Sequence, residues 1–417
     1  RTLHKAVAQV PSHATLTVYK SSCTYQIQYQ DPENIEVNPS GMDQADAVNA
    51  AFDALNHAFE KLDRQETYLV GLSGGLDSRL TIAVLSQHIP RRNIRLYTYG
   101  HSDNIYEYRY AQDVAAALGL AAPEFHLLND ITYRNALTYL PRTSGGLLGV
   151  GHVHALDYLR GLNPGGCLHL STLASDAVLG WAAGPFIDHT QDGWRPMRET
   201  ASALVPSDEV RVLVEDDLSR LSSAMTQPPF SNWDEFYYVR ERNAKFHTYL
   251  AYLQHREVPG PTPFADRDLM MAFMSIPSHF RYQKRLADEI LRIHFPRISD
   301  KRGGHISSRF QWGGEYAPRA QWIRYRLVGG ISSTSAYLTH GKLGMSNPFT
   351  TEDLGLVLHR EFRQDLRISE SALVDIGVID DVSQLGWATP PLRSRYAIGR
   401  FDLLTVGALI ADGLLCA

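Results

Sequence analysis

The sequence predicts an α/β protein, with a parallel sheet and flanking helices in its first half and a helical C-terminal half. Three observations carry this prediction. Short apolar runs alternate with helix-like segments between residues 67 and 172. The first run stops at a serine–glycine bend, "LSGGLDS" (72–78), before a helical pattern resumes. In the second half the alternation gives way to long stretches of helical periodicity, as in "NWDEFYYVRERNAKFHTYLAYLQHR" (232–256).

The elements follow in order. Residues 14–30, "ATLTVYKSSCTYQIQYQ", alternate around a polar centre and predict a hairpin. "DPENIEVNPSG" (31–41) has the prolines and glycine of a linker. Val48, Phe52, Leu55, Phe59 and Leu62 recur at steps of three and four, which predicts an amphipathic helix within 42–62. Strands are then expected at 67–72, 94–100, 124–128 and 167–172, with helices at 78–89, 105–118 and near 153–161. Strands separated by helices imply crossover connections and a parallel sheet, whose ligands bind at the carboxyl ends of the strands. Segments 266–296 and 352–378 are expected to be helical as well.

A chain of 417 residues exceeds what one core usually serves, so two domains, or one with an appendage, are expected. A net charge of -5 gives no bulk reason to expect a nucleic-acid partner. The local basic runs at 90–95 and 300–309 read as solvated surface. Cys23, Cys167 and Cys416 are odd in number and far apart, which supports neither a disulfide framework nor a zinc site. The apolar stretch 403–415 is short and contains Asp412, so it reads as a buried helix; no membrane span and a cytoplasmic location are expected.

The bend has the composition of an anion site. Gly74 and Gly75 are expected to permit positive φ and close backbone approach. A helix beginning near Ser78 would aim its unpaired N–H groups into the bend, where a phosphate suits them. Ser73 and Ser78 can add hydroxyls. Asp77 would repel a phosphate unless a cation lay between, and magnesium fits that requirement. The loop lacks the lysine of a Walker A motif. A plain connecting turn with Asp77 as a helix cap is the alternative.

The string Ser73-Gly74-Gly75-Leu76-Asp77-Ser78 resembles the signature loop of the N-type ATP pyrophosphatases, and within them the asparagine synthetase group. Residues 97–120 are similar to that group's second nucleotide-binding segment. "LSTLASDAVLG" (170–180) is similar to its S-G-x-G-A-D-E loop, and "PFADRDLMMAFMSIP" (263–277) to its P-F-L-D segment. The resemblance implies an adenine nucleotide alpha-hydrolase-like PP-loop fold that takes ATP and Mg2+. It implies Ser73, Gly74, Gly75 and Ser78 on the phosphates, Asp77 and Asp176 as magnesium ligands, and Leu72, Thr98 and Ser171 at adenine and ribose. It also implies the division of the chain. Residues 1–40 would be a residual hairpin and linker, the end of a glutaminase-like domain. Residues 41–417 would form the synthetase domain, with the sheet at about 45–185 and a helical cover at about 205–417.

Departures from the group matter as much. Thr172, Leu173, Ala174 and Ala177 replace parts of the S-G-x-G-A-D-E loop, and Leu173 stands where ring-closing members carry a tyrosine base. The register of the group's catalytic lysine lands on Asp288, so Lys284, one helical turn earlier, is the substitute candidate, with a plain surface lysine as the alternative. No cysteine precedes Cys23 to act as a glutaminase nucleophile. Together these imply an ATP-dependent ligase that adenylates a carboxylate and passes the acyl group to an amine. Its substrate would be a small molecule or peptide, and its partner a biosynthetic protein. β-lactam synthetases and lasso-peptide macrolactam cyclases are the specialised examples. An asparagine synthetase without a working glutaminase, or a non-catalytic nucleotide-binding scaffold, are the alternatives. His152 and His154 read as polar surface or satisfied buried histidines, and Gly145, Gly146, Gly149 and Gly151 as a gating loop. Glu107 is a candidate for ordering its helix or meeting the amine. Trp233, Phe236 and Tyr237 read as core.

Overall fold

The computed structural model describes residues 14–29 except 23, most of 41–184, a few positions between 212 and 219, and 230–299. The expectations for 31–40, 352–378 and 403–415, for Cys23, Cys416 and His152, and for the glycines of 145–151 lie outside the described residues. The hairpin is present as β1 (Ala14–Tyr19) and β2 (Thr24–Tyr29), antiparallel with Ala14 opposite Tyr29.

The sheet has four parallel strands: β3 (Thr67–Gly71), β4 (Ile94–Gly100), β5 (Glu124–Leu127) and β6 (Cys167–Leu170), in the order β5-β4-β3-β6. β3 is therefore central, and alternate side chains serve opposite layers. Tyr68 and Val70 pack with α1 (Gln44–Glu60) and α2 (Leu76–His88), whereas Leu69 packs with Tyr97, Tyr158 and Leu159 on the other face. α1 begins where the Asp43 carboxylate accepts the Asp46 N–H at 2.8 Å, and it buries Val48, Leu55 and Phe59 as its periodicity predicts. Phe52 is half-buried and stacks on His294 at 3.8 Å. α3 (Tyr106–Leu118) and α5 (His154–Gly161) fall at the expected places. Helix α4 (Asp130–Ser144) was not among the sequence expectations.

The outer edge of β6 is covered by an extended segment. The N–H groups of His169 and Ser171 donate to the carbonyls of Pro259 and Pro261 at 2.9 and 3.0 Å. Gly260 lies so close that a Cβ there would sit 2.1 Å from the His169 carbonyl oxygen, so only glycine fits.

The helix expected at 232–256 is present and continuous but changes its winding, whereas the one expected at 266–296 is broken. Residues 233–257 run as a short α-turn (Trp233–Phe236), a π-helical segment (Tyr237–His247) and an α-helix (Thr248–Glu257). Residues 263–299 divide into several pieces, including Arg267–Ser275, a turn at Tyr282–Lys284 and helix Arg285–His294. Phe236 is core, with Trp233 and Tyr237 packed beside it, as expected. Among the described residues no helix is long and apolar enough to cross a membrane.

Candidate active site

The chain after β3, β4 and β6 meets around one cavity of about 470 Å3. Leu72, Ser73 and Ser78 line it from the bend, Thr98 from β4, and Ser171 and Asp176 from the segment after β6. Tyr97, His169, Glu107 and the half-buried His154 line it too. The π segment contributes Arg242, Phe246 and His247. Gly74, Gly75, Asp77 and Lys284 are not among the lining residues; the last two reach the site through Asp176.

The bend is knitted by its serines. Ser78 Oγ donates to the Ser73 and Gly75 carbonyls at 3.0 and 3.2 Å, and the Gly75 N–H donates to Ser73 Oγ at 3.1 Å. Two expectations need correction. α2 begins at Leu76 rather than near Ser78, so Asp77 lies in its first turn, where the helix dipole favours a carboxylate. Neither Gly74 nor Gly75 has positive φ; Gly75 is at φ -73 and caps the helix without a side chain. The glycine there keeps the helix N-terminus uncovered, and the turn needs no left-handed residue. Deeper in, Thr98 Oγ1 donates to the Leu72 carbonyl, and Ser171 Oγ donates to Gln254 Oε1 at 3.2 Å.

Lys284 joins the two aspartates. Its ammonium is 2.7 Å from each oxygen of Asp77 and bonds to Asp176 Oδ1 as well, while Ser175 Oγ donates to Asp77 Oδ2 at 2.9 Å. Lys284 is 9% exposed, which rules out the surface-lysine alternative. Asp288, the residue in the expected register, instead exerts its charge on the buried Arg79.

What brings Lys284 here is backbone rather than pattern. Gln283 and Lys284 both adopt left-handed conformations, φ 51 and φ 62, costing about 1–2 kcal/mol each. Gly180 permits the approach: it has φ +81, and a Cβ there would lie 2.5 Å from the Arg281 carbonyl oxygen. Arg281 is anchored by a fully buried ion pair with Glu235, whose second oxygen accepts the Ser231 N–H at 2.6 Å.

Charge in the cluster is unevenly held. Burial works against the Lys284 ammonium, but the two carboxylates outweigh it and keep its pKa above the usual lysine value. Burial raises Asp77, with the charge of Asp176 adding to it and Lys284 opposing. Burial also opposes ionisation of Asp176, yet Lys284 prevails and lowers it. His169 and His247 are pushed down to about 3 and about 4, burial being the main cause in both, so both imidazoles are neutral at pH 7.

Sequence reasoning missed Arg242, His247, Glu235 and Arg281. Nothing in the local pattern distinguishes them, because a π-helical wall and a buried ion pair between distant segments leave no periodic signal. No group of three or more His, Cys, Asp or Glu placed to hold a metal occurs among the described residues.

A family model described as asparagine synthase matches residues 51–146. The match spans β3, the serine–glycine bend, α2, β4, α3 and β5, and stops before Ser171, Asp176 and Lys284. It supports an asparagine synthetase-type segment and an ATP-dependent ligase class. No curated protein matches the chain.

Proposed function

We propose that this chain is an ATP-dependent carboxylate–amine ligase that forms an acyl-adenylate and pyrophosphate, then an amide and AMP. The observation that carries the reading is the meeting of Asp77, Asp176 and Lys284 beside a cavity at the strand ends. In this reading Ser73, Gly74, Gly75 and Ser78 receive the β- and γ-phosphates at the uncovered start of α2. Leu72, Thr98 and Ser171 frame the nucleoside.

Asp77 and Asp176 would hold magnesium. The donor set fits, because magnesium commonly takes one or two carboxylates and completes its shell with phosphate oxygens and water. When bound, it would neutralise phosphate charge. Both carboxylates already face one cation, the Lys284 ammonium. Lys284 then stabilises the negative charge that builds as the carboxylate attacks the α-phosphorus. The rest of the cavity orients acid and nucleotide, and positioning supplies much of the rate.

The substrate reading is a specialised one, an acid and an amine carried by one small molecule or peptide, as in lactam and macrolactam synthetases. The altered 171–177 loop favours it over asparagine formation; Leu173, in place of the tyrosine of ring-closing members, leaves base assistance to another group. A scaffold without catalysis is disfavoured by the buried, strained lysine seated on both aspartates. A pyrophosphate-release screen over acids, amines and linear peptides tests the proposal. Release that depends on substrate and disappears in Lys284→Ala supports it. Efficient asparagine production from aspartate and ammonia would reject the specialised form, and an unchanged rate in Lys284→Ala would dismiss the lysine.

A further inference from the structure

Arg242 stands on the π-segment wall of the cavity, and among the described residues lining that cavity it is the only lysine or arginine. The same lining holds two carboxylates, Glu107 and Asp176, while His169 and His247 are neutral. The Lys284 ammonium is taken up by Asp77 and Asp176. A carboxylic acid entering beside Mg-ATP is itself an anion, and it meets a negative surround unless a cation receives it.

The Arg242 guanidinium is fixed in orientation and only partly satisfied. Nη1 donates to Tyr238 Oη at 3.0 Å, and the guanidinium carbon lies 4.8 Å from the Tyr238 ring centre and 5.5 Å from that of Phe246. The two rings come four residues before and four residues after it on the same segment, close enough for cation–π attraction to hold its plane. Nε and Nη2 have no hydrogen-bond partner among the described residues, yet neither is enclosed by protein, and the side chain is half-buried. These two nitrogens form one edge of the planar group, the shape that matches both oxygens of a carboxylate. The hydroxyl held by Nη1 feels the charges of Asp176 and Lys284, which sets Arg242 near that cluster.

We propose that Arg242 receives the carboxylate that is to be activated, gripping both of its oxygens through Nε and Nη2. The inference rests on the ligase reading above and names the group that admits its acid. Phosphates have other donors there, the start of α2 and magnesium, which leaves the planar fork to the acid. One carboxylate oxygen attacks the α-phosphorus and an O–P bond forms. The bond from the α-phosphorus to the bridging oxygen breaks, and its electron pair leaves with pyrophosphate. The other carboxylate oxygen stays at Arg242 as the carbonyl oxygen of the acyl-adenylate. The carboxylate charge is spent in this step, so the grip serves the ground state and its loss falls on KM more than on kcat.

The test uses the full chain, Mg-ATP, the acid returned by the pyrophosphate screen, and that acid's primary amide as an uncharged competitor. In Arg242→Gln the KM for the acid is expected to rise about 50-fold, with kcat within about fivefold. Arg242→Lys keeps the charge without the fork and should leave a rise of about tenfold. The inhibition constant of the amide and the KM for ATP should each stay within about threefold of wild type. Equal weakening of acid and amide would mean a structural role, and a rise confined to the KM for ATP would give the guanidinium to phosphate. Either result overturns the proposal, as does an unchanged KM for the acid; in each, acid-dependent pyrophosphate release by the wild type leaves the ligase reading standing. A wild-type chain that binds Mg-α,β-methylene-ATP but releases pyrophosphate with no acid refutes the ligase reading itself, and Arg242 then has no carboxylate to receive.

Discussion

Replacing Lys284 with methionine removes the ammonium while keeping most of the side-chain volume. At 2.7 Å and an effective dielectric near 20, each ammonium–carboxylate contact contributes about 6 kcal/mol of direct attraction before desolvation is subtracted. Breaking a fully buried pair by deleting one partner typically destabilises a protein by about 3–5 kcal/mol. The Asp77 side chain is 20% exposed and that of Asp176 40%, so water screens part of the loss. The expected net destabilisation of Lys284→Met is about 2 kcal/mol. Urea unfolding of wild type, Lys284→Met, Asp77→Asn and the double variant at pH 7.5 measures it. Asp77→Asn in the methionine background should restore about half the loss, so the coupling is about 1 kcal/mol plus whatever Asp77→Asn costs alone. Activity should not return in the double variant, because the charge needed for adenylation is still missing. A coupling indistinguishable from zero would refute the seating of Lys284 on Asp77.

Other consequences can be checked independently. Gly260→Ala must displace β6 or the Pro259–Pro261 segment, and should destabilise by about 2–3 kcal/mol with a matching loss of nucleotide affinity; an unchanged melting curve would contradict the close contact. Asp176→Ala should lose ATP turnover most at low magnesium, and full turnover there would remove its role as a metal ligand. His169 is neutral in the fold, with its pKa lowered to about 3, against roughly 6.5 when unfolded. The unfolded chain therefore binds the proton first, and the associated stability is complete above pH 6.5 and drawn down as the pH falls towards 3, by about 1.4 kcal/mol per pH unit. His169→Gln should flatten that acid limb in pH-dependent urea melts, and an unaltered slope would show that His169 is not buried neutral.

The first half of the fold was legible because its signals are local. The apolar run 67–72 stops at the bend, and the periodicity of Val48, Leu55 and Phe59 matches one buried helix face. Helix Asp130–Ser144 was less legible, since Pro141 and a polar composition argue against a helix in sequence. Asp77 and Asp176 could be read from their loops, and each is near the other because its loop follows one of two neighbouring strands. Lys284 was legible only as a candidate. Its approach depends on left-handed Gln283 and on Gly180, features that no 3.6-residue pattern encodes. The π segment is invisible for the same reason, and with it went Arg242 and His247.

The left-handed pair at 283 and 284 also makes the turn a compressed spring. Together the two residues sit on the order of 2–4 kcal/mol above right-handed helix, and relaxing them would let Tyr282–Lys284 run on into the following helix. That recoil would swing the ammonium off both carboxylates, so the latch formed by Gly180 and by the Arg281–Glu235 pair decides where the cation points. Gln283→Gly would ease the strain without changing any contact of the ammonium, removing the recoil and holding the cation on its two carboxylates more firmly.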